Sequence, residues 1–522
     1  MAVERRTAVD GDDLPHTTMS RREGRGHHVG RWWWALGMLA AMALIAGACG
    51  RGGEKGSDDG SPSGDSAGVV DAADCPVKKV ASASTPTKVT VWHAYVGLQA
   101  STLQQMADAF NASQDKVQVE VQAQGTYEEL LKKFQDALAN PGSLPDLVLT
   151  EDTTTQFMID SGAIIPADSC RKADPSSDET YDDVIPAVTS AYTVDSVLWP
   201  GAFSVSMPVL YVNKAILAAA NVDTTTYPQT IEELRAVAEK IKAANVPGVK
   251  APLVIKVDSW FVENWLTGAG KALVNENNGR DGLATESKYD QPDTTKIVDW
   301  FKGMIDDGLA TAIPSSTTGV DEYLAINNKS SAMLIQTSTA ISTVAALLGG
   351  QVSQSQLDDV GIDADIDKSL DIDVALQPGL EEAGQGQIGG SAWYLVSTDD
   401  PLGVPAAWEF IKYFLQTPNQ VTWTLQGSYL PVLKSAQEDP TLQKEFTTTT
   451  KGKWLNTAYQ GLKNLNPDFP GPVIGPFNEF RAINRAALDS VAFNGVGTKD
   501  AISKANSAFQ DALDQYKNDV GG

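Results

Sequence analysis

A chain of 522 residues with 66 acidic against 40 basic side chains carries a formal charge of −26. So acidic a surface argues against nucleic-acid binding, because backbone phosphates would be repelled, although a small anion remains compatible where a pocket supplies its own donors. Of the 4 histidines only His93 lies beyond residue 49, so a histidine metal cluster is out of reach and a Ser-His-Asp triad would rest on that one ring.

Residues 1–48 read as a lipoprotein signal peptide. Arg21, Arg22, Arg25 and Arg31 form a basic region, and the run from Trp32 to Ala46 is uncharged but too short for a spanning helix. Met19 is an alternative start, because the basic region before the apolar run is long. Arg21-Arg22 falls short of a twin-arginine signal, since Glu23-Gly24 follows where hydrophobic residues are required. The run ends Ala46-Gly47-Ala48-Cys49, which resembles a bacterial lipobox and implies that Cys49 is lipidated and becomes the new N-terminus. Residues 49–85 would then be the lipidated cysteine and a leash rich in Gly, Ser and Asp, too poor in apolar side chains to bury a core. The expected product is exported and lipid-anchored at the outer face of the cell membrane. Cys75 and Cys170 remain; an even count in an oxidising compartment suggests one disulfide, with two free thiols as the alternative.

Roughly 450 residues are left, too many for one core and enough for two lobes. Val89 and Val91 mark a short strand that leads into a helix carrying Leu103, Met106 and Phe110 on one face. A second strand, 117–121, meets Thr126-Tyr127-Glu128-Glu129, a capping box that opens another helix. This spacing implies a parallel sheet with ligand sites beyond its carboxyl ends, where Tyr95 and Tyr127 are both expected. His93, after an apolar strand, reads as a hydrogen-bonded structural histidine. Ser206 to Lys214 predicts a strand running into a helix from Ala215, and Thr230-Ile-Glu-Glu233 predicts a second capping box ahead of Leu234, Ala238 and Ile241. Ile297, Trp300, Phe301, Met304 and Ile305 keep a helical rhythm until Gly308. Asp363, Asp365 and Asp367 lack the glycine and glutamate of a calcium loop and read as a solvated acidic loop. Gly384-Gln-Gly386-Gln-Ile-Gly389 matches a dinucleotide pattern, yet it precedes a strand, 392–396, instead of opening a helix, so it is rejected. Further helices are expected over 407–415 and 501–516.

Val91-Trp-His93, Ala107-Asp-Ala-Phe-Asn111, Gly125-Thr-Tyr-Glu128 and Pro145-Asp-Leu147 resemble the extracellular solute-binding proteins of ABC importers, in particular the branch that binds glycerol 3-phosphate and glycerophosphodiesters. The resemblance runs from about Lys88 to Tyr516. It implies an α/β fold of the two-lobed periplasmic-binding-protein type (class II), a monomer without cofactor or catalysis, and an ABC permease as partner. Lobe 1 would hold 86–200 and 368–415, and lobe 2 would hold 201–367 and 416–522, with the ligand in the cleft between them. Carried over position by position, the resemblance implies a ligand set. Arg481 would grip the phosphate, as a guanidinium can hold two oxygens at once; otherwise it is a surface ion-pair arginine. Tyr127 would lie at a helix N-terminus suited to an anion. Ser206 and Gly390 would donate to the phosphate, Glu151 would accept from glycerol hydroxyls, and Tyr429 would face the cleft. Thr337, with Ser338 beside it, stands where the family has serine. Trp260 matches the second of two wall tryptophans, while Val257 stands at the first. The smaller Val257 widens the wall, so a glycerophosphodiester such as glycerophosphocholine is expected over glycerol 3-phosphate.

Three alternatives stay open. The same family holds oligosaccharide binders, which Trp260, Trp265, Trp393 and Trp423 would suit. A secreted glycosidase would pair Glu151 with Asp258. A lipoprotein adhesin or scaffold would show an exposed apolar patch.

Overall fold

The structure, a computed structural model, describes residues 69–317, 321–350 and 366–521. The lipobox at Cys49, Asp363 and Asp365 lie outside the described residues. Two curled α/β sheets form the two lobes; one hydrophobic core packs on the first sheet and continues onto one face of the second, through Val209, Tyr211, Val254 and Leu334, while the second sheet's other face carries a second core. In the first sheet the strand Thr87–His93 pairs in parallel with Val117–Ala123 and Leu147–Glu151. Gly389–Val396 then joins antiparallel to Leu147–Glu151, with Ile164–Ile165 and Ala202–Ser206 also paired to it. The second sheet runs Ala310–Ile313, Leu253–Lys256, Met333–Thr337, Pro208–Asn213 and Ile372–Leu376.

Local signals explain most of these elements. Val89 and Val91 are fully buried in the first strand, and Leu103, Met106 and Phe110 bury one face of the helix Gly97–Ser113. Thr126 and Glu129 form the reciprocal capping box of Tyr127–Leu138. At the second expected box, Thr230 caps Ile231–Ala244 by accepting from Glu233, but the Glu233 carboxylate takes the Gln229 N–H instead of the Thr230 N–H. Only half of that box therefore forms. His93 is buried, and its Nδ1 accepts the Tyr95 N–H at 3.1 Å. Cys75 and Cys170 are joined as a disulfide with Cα atoms 5.0 Å apart.

Strand pairing moves the expected lobe boundaries. Ala202–Ser206, assigned to lobe 2 from sequence, pairs in the first sheet, and Ile372–Leu376, assigned to lobe 1, pairs in the second. The chain thus crosses between sheets near Met207 and again between Leu376 and Gly389. Thr417–Gly427 buries Val421 and Trp423 in the first core, whereas Phe477–Phe493 and Thr498–Asp519 pack Phe480, Phe509 and Leu513 into the second. The boundary residues carry the same β-pattern on either side, so periodicity could not have told which sheet each strand joins.

Candidate functional site

The carboxyl end of Leu147–Glu151 in the first lobe faces the helix Phe477–Phe493 of the second. Arg481, on that helix, is buried. Its Nε and Nη2 donate to the two oxygens of Glu263, at 2.8–3.2 Å, and its Nη1 donates to Glu151 Oε1 at 2.7 Å. Glu263 is fully buried on the helix Ser259–Gly268 and also accepts from Gln387 Nε2 at 3.2 Å. Burial works against the Arg481 charge, yet Glu263 and Glu151 outweigh it and hold the guanidinium well above its ordinary pKa. One pair thus lies within the second lobe and the other spans the cleft. The Phe477 ring lies 5.3 Å from the guanidinium carbon.

Carboxylates outnumber cations here. Burial raises the Glu151 carboxyl above its usual range; Arg481 opposes this, while Glu128, Asp258 and Glu263 add to it. Burial, again opposed by Arg481, pushes neighbouring Asp152 up to about 8. A site with one guanidinium among these carboxylates holds at least one of them protonated near neutrality.

Aromatic and glycine residues build the adjoining wall. Trp260 lies against the Gly389 backbone, where a Cβ would stand 2.5 Å from the indole. Asn484, on the arginine helix, donates to Ser259 Oγ at 2.8 Å, tying that helix to the one bearing Trp260. Gly390 adopts φ +115, and a Cβ there would fall 2.0 Å from Ser204 O and 3.2 Å from the Tyr429 ring. Tyr429 stacks on Trp423 with centroids 5.4 Å apart and lies 5.6 Å from Tyr95. Tyr127 opens its helix with a buried Oη beside the Tyr429 hydroxyl, and Trp260 Nε1 is buried with no hydrogen-bond partner among the described residues. Burial, with Tyr429 and Tyr95 nearby, holds the Tyr127 hydroxyl well above its ordinary pKa. Orphaned buried polar atoms are what a polar solute would satisfy.

The expected set is therefore only partly brought together. Arg481 and Glu151 meet directly, and Trp260, Gly390 and Tyr429 gather on the Gly389–Val396 strand. Ser206 is buried opposite Gly389 in the same sheet. Tyr95 is not a pocket residue: its hydroxyl bonds Ser204 at 2.8 Å, with Ser391 and Trp393 also in reach, so it supports Tyr429 from the core. Ser338 is buried, and its Oγ accepts the Met207 N–H at 3.1 Å, which ties the turn after Met333–Thr337 to the crossover at Met207. Thr337 caps the turn Ser338–Ala340 and lines a separate, mainly apolar cavity of about 300 Å³ with Tyr211, Tyr323 and Leu347. Val257 belongs to the second core and not to a wall. Asp258 caps the Trp260 helix, accepting the Trp260 N–H at 3.0 Å, and Glu151 is committed to Arg481, so the two carboxylates of the glycosidase alternative hold other partners.

Glu263 and Asp152 went unrecognised in the sequence. Glu263 did leave a signal: it is the one charged residue in Ser259-Trp-Phe-Val-Glu-Asn-Trp-Leu266, and a carboxylate on so apolar a helix needs a buried partner.

A family model described as bacterial extracellular solute-binding protein matches residues 105–450. The sn-glycerol-3-phosphate-binding periplasmic proteins UgpB of Escherichia coli O1:K1 and Yersinia pestis are 24% identical over 418 and 414 residues, covering 79% of this chain and 89% of each relative. Among solved structures, UgpB from Mycobacterium tuberculosis in complex with glycerophosphocholine superposes with TM-score 0.63 at 18% identity, covering 83% of this chain and 100% of that one. The cyclic alpha-maltosyl-1,6-maltose binding protein from Arthrobacter globiformis gives TM-score 0.63 at 19% identity, covering 82% and 100%.

Proposed function

The chain belongs to the bacterial extracellular solute-binding protein family, and on that premise we propose that its cleft captures a glycerophosphate-type solute for the ABC permease it serves. The observation that carries this reading is the division of labour on Arg481. Glu263 holds the guanidinium from behind with two acceptors, while a single edge, Nη1, is turned to the first lobe and meets Glu151 at 2.7 Å. A phosphate oxygen arriving at that edge takes the place of the Glu151 carboxylate, which is then released to accept hydroxyls. The Tyr127 hydroxyl and the unpartnered Trp260 Nε1 supply further polar contacts beside a flat indole face. Likeness to proteins named for glycerol 3-phosphate and glycerophosphocholine supports the same reading.

The surplus of carboxylates favours a ligand whose negative charge is offset, and so a glycerophosphodiester such as glycerophosphocholine over glycerol 3-phosphate. Lipid anchoring through Cys49, export to the outer face of the membrane and a monomeric state complete the proposal. Calorimetric titration of the full chain with glycerophosphocholine, glycerol 3-phosphate and maltose, repeated with Arg481→Ala, tests it. Phosphate-ligand binding is expected to weaken by about 2–5 kcal/mol in the variant. Binding of maltose alone, indifferent to Arg481, would move the chain to the oligosaccharide readers.

A further inference from the structure

Arg280 borders the cleft beside Asp152, Gln387 and Phe477 without hydrogen-bonding to them, and four consecutive left-handed residues present it. Glu276, Asn277 and Asn278 take φ 50, 48 and 63, and Gly279 takes φ +79. Such a run is costly for side chains with a Cβ and persists only where the surroundings enforce it. Here Val473 does so: its N–H donates to Asn278 O at 3.0 Å, and a Cβ on Gly279 would fall 1.9 Å from Val473 O.

The turn delivers a guanidinium to backbone carbonyls alone. Arg280 Nε donates to Gly471 O at 2.7 Å, Nη1 to Ser190 O at 2.9 Å and Thr193 O at 3.3 Å, and Nη2 to Ala191 O at 3.2 Å. Ser190 and Ala191 end the helix Pro186–Tyr192, whose last carbonyls lack helical partners and carry partial negative charge. That helix buries Ala187, Val188 and Tyr192 in the first core, whereas Val274 and Ala284, flanking Arg280, lie in the second. Arg280 thus reaches from one lobe to the other, and among the described residues it forms no ion pair. Burial lowers its pKa to about 10, so it keeps its charge at neutral pH.

Other side-chain bonds cross the cleft singly. Arg481 reaches Glu151, Thr153 Oγ1 reaches Asn478 Oδ1 at 3.3 Å, Tyr516 Oη reaches Asp160 at 2.6 Å, and Gln99 Nε2 reaches Thr339 O at 3.4 Å. Arg280 makes three charge-assisted bonds to the first lobe. We propose that Arg280 is a lobe clasp, a positioning residue that holds the cleft closed through protein carbonyls with no contribution from solute. The strained turn 276–279 exists to present it, and an approach to the closed form precedes capture. Closure then costs the solute less binding energy, because part of the closed population is already there.

Hydrogen–deuterium exchange on the full chain, purified free of solute, tests the clasp in wild type, Arg280→Lys and Arg280→Ala. The informative amides are those of 150–154 and 477–482, cleft segments to which Arg280 makes no hydrogen bond, with 87–93 as a core control. Arg280→Ala should speed exchange in the cleft segments by at least about tenfold, the loss expected for charge-assisted hydrogen bonds, and leave the control unchanged. Arg280→Lys, which keeps the charge but cannot span the carbonyls, should fall between. Faster exchange confined to 188–194 and 274–281, or unchanged cleft segments with a lowered melting temperature, would make Arg280 merely structural and overturn the clasp. Should the alanine variant fail to fold, the lysine variant decides on the same criterion. No solute enters the measurement, so its outcome is independent of the glycerophosphate reading.

Discussion

Glu263 and Arg481 form a two-pronged ion pair inside the second lobe, with Nη2 2.8 Å from Oε2 and the carboxylate fully buried. The pair fixes the direction of the guanidinium independently of the first lobe. Glu263→Gln leaves the guanidinium without its two-pronged partner in a buried setting, which costs about 3–5 kcal/mol of stability. Urea denaturation of the two proteins checks this. An equal midpoint would show that Glu151 alone suffices to hold Arg481.

On the proposed reading Glu151 competes with the solute for the same cation, which gives that reading a pH signature. Its carboxyl is raised by burial against the pull of Arg481. As pH falls through that raised value, Glu151 gains a proton and Arg481 loses a competitor. A phosphodiester keeps one negative charge throughout, so glycerophosphocholine should bind more tightly at mildly acid than at mildly alkaline pH. Calorimetry across that range should give a sloping profile for the wild type and a flatter one for Glu151→Gln.

His93 contributes to acid lability. Burial lowers its pKa to about 4 from 6.5, so between those values the unfolded chain binds the extra proton. The stability it contributes is present above the unfolded pKa and is lost as pH falls toward about 4. Asp152, raised to about 8, acts in the opposite sense: its contribution is present below the ordinary carboxylate pKa and is lost as pH rises through about 8. Melting temperatures against pH should therefore flatten between about pH 4 and pH 6.5 in His93→Gln, and between the ordinary carboxylate pKa and about pH 8 in Asp152→Asn.

The disulfide pins the start of the folded body. Cys75 and Cys170 are 95 residues apart, and Asp71 N donates to Ser169 Oγ at 3.0 Å beside the bridge. Closing so long a loop restricts the unfolded chain, so Cys75→Ser should cost about 2–5 kcal/mol. Thermal melts with and without reductant measure it, and the variant should be insensitive to reductant.

Sequence by itself determined the local elements and the family. Capping at Thr126, the one-sided helix of Leu103, Met106 and Phe110, and the structural role of His93 all depend on residues within a few positions of each other, where spacing fixes geometry. Tertiary structure alone decided which sheet each crossover strand joins, because Ala202–Ser206 and Ile372–Leu376 look alike as strands and differ only in their distant partners. It also decided which polar residues meet. Arg481 is 218 residues from Glu263 and 330 from Glu151, and no local pattern encodes a pairing at that separation. The same holds for Arg280, whose role depends on carbonyls that every residue possesses and that only folding brings to one point.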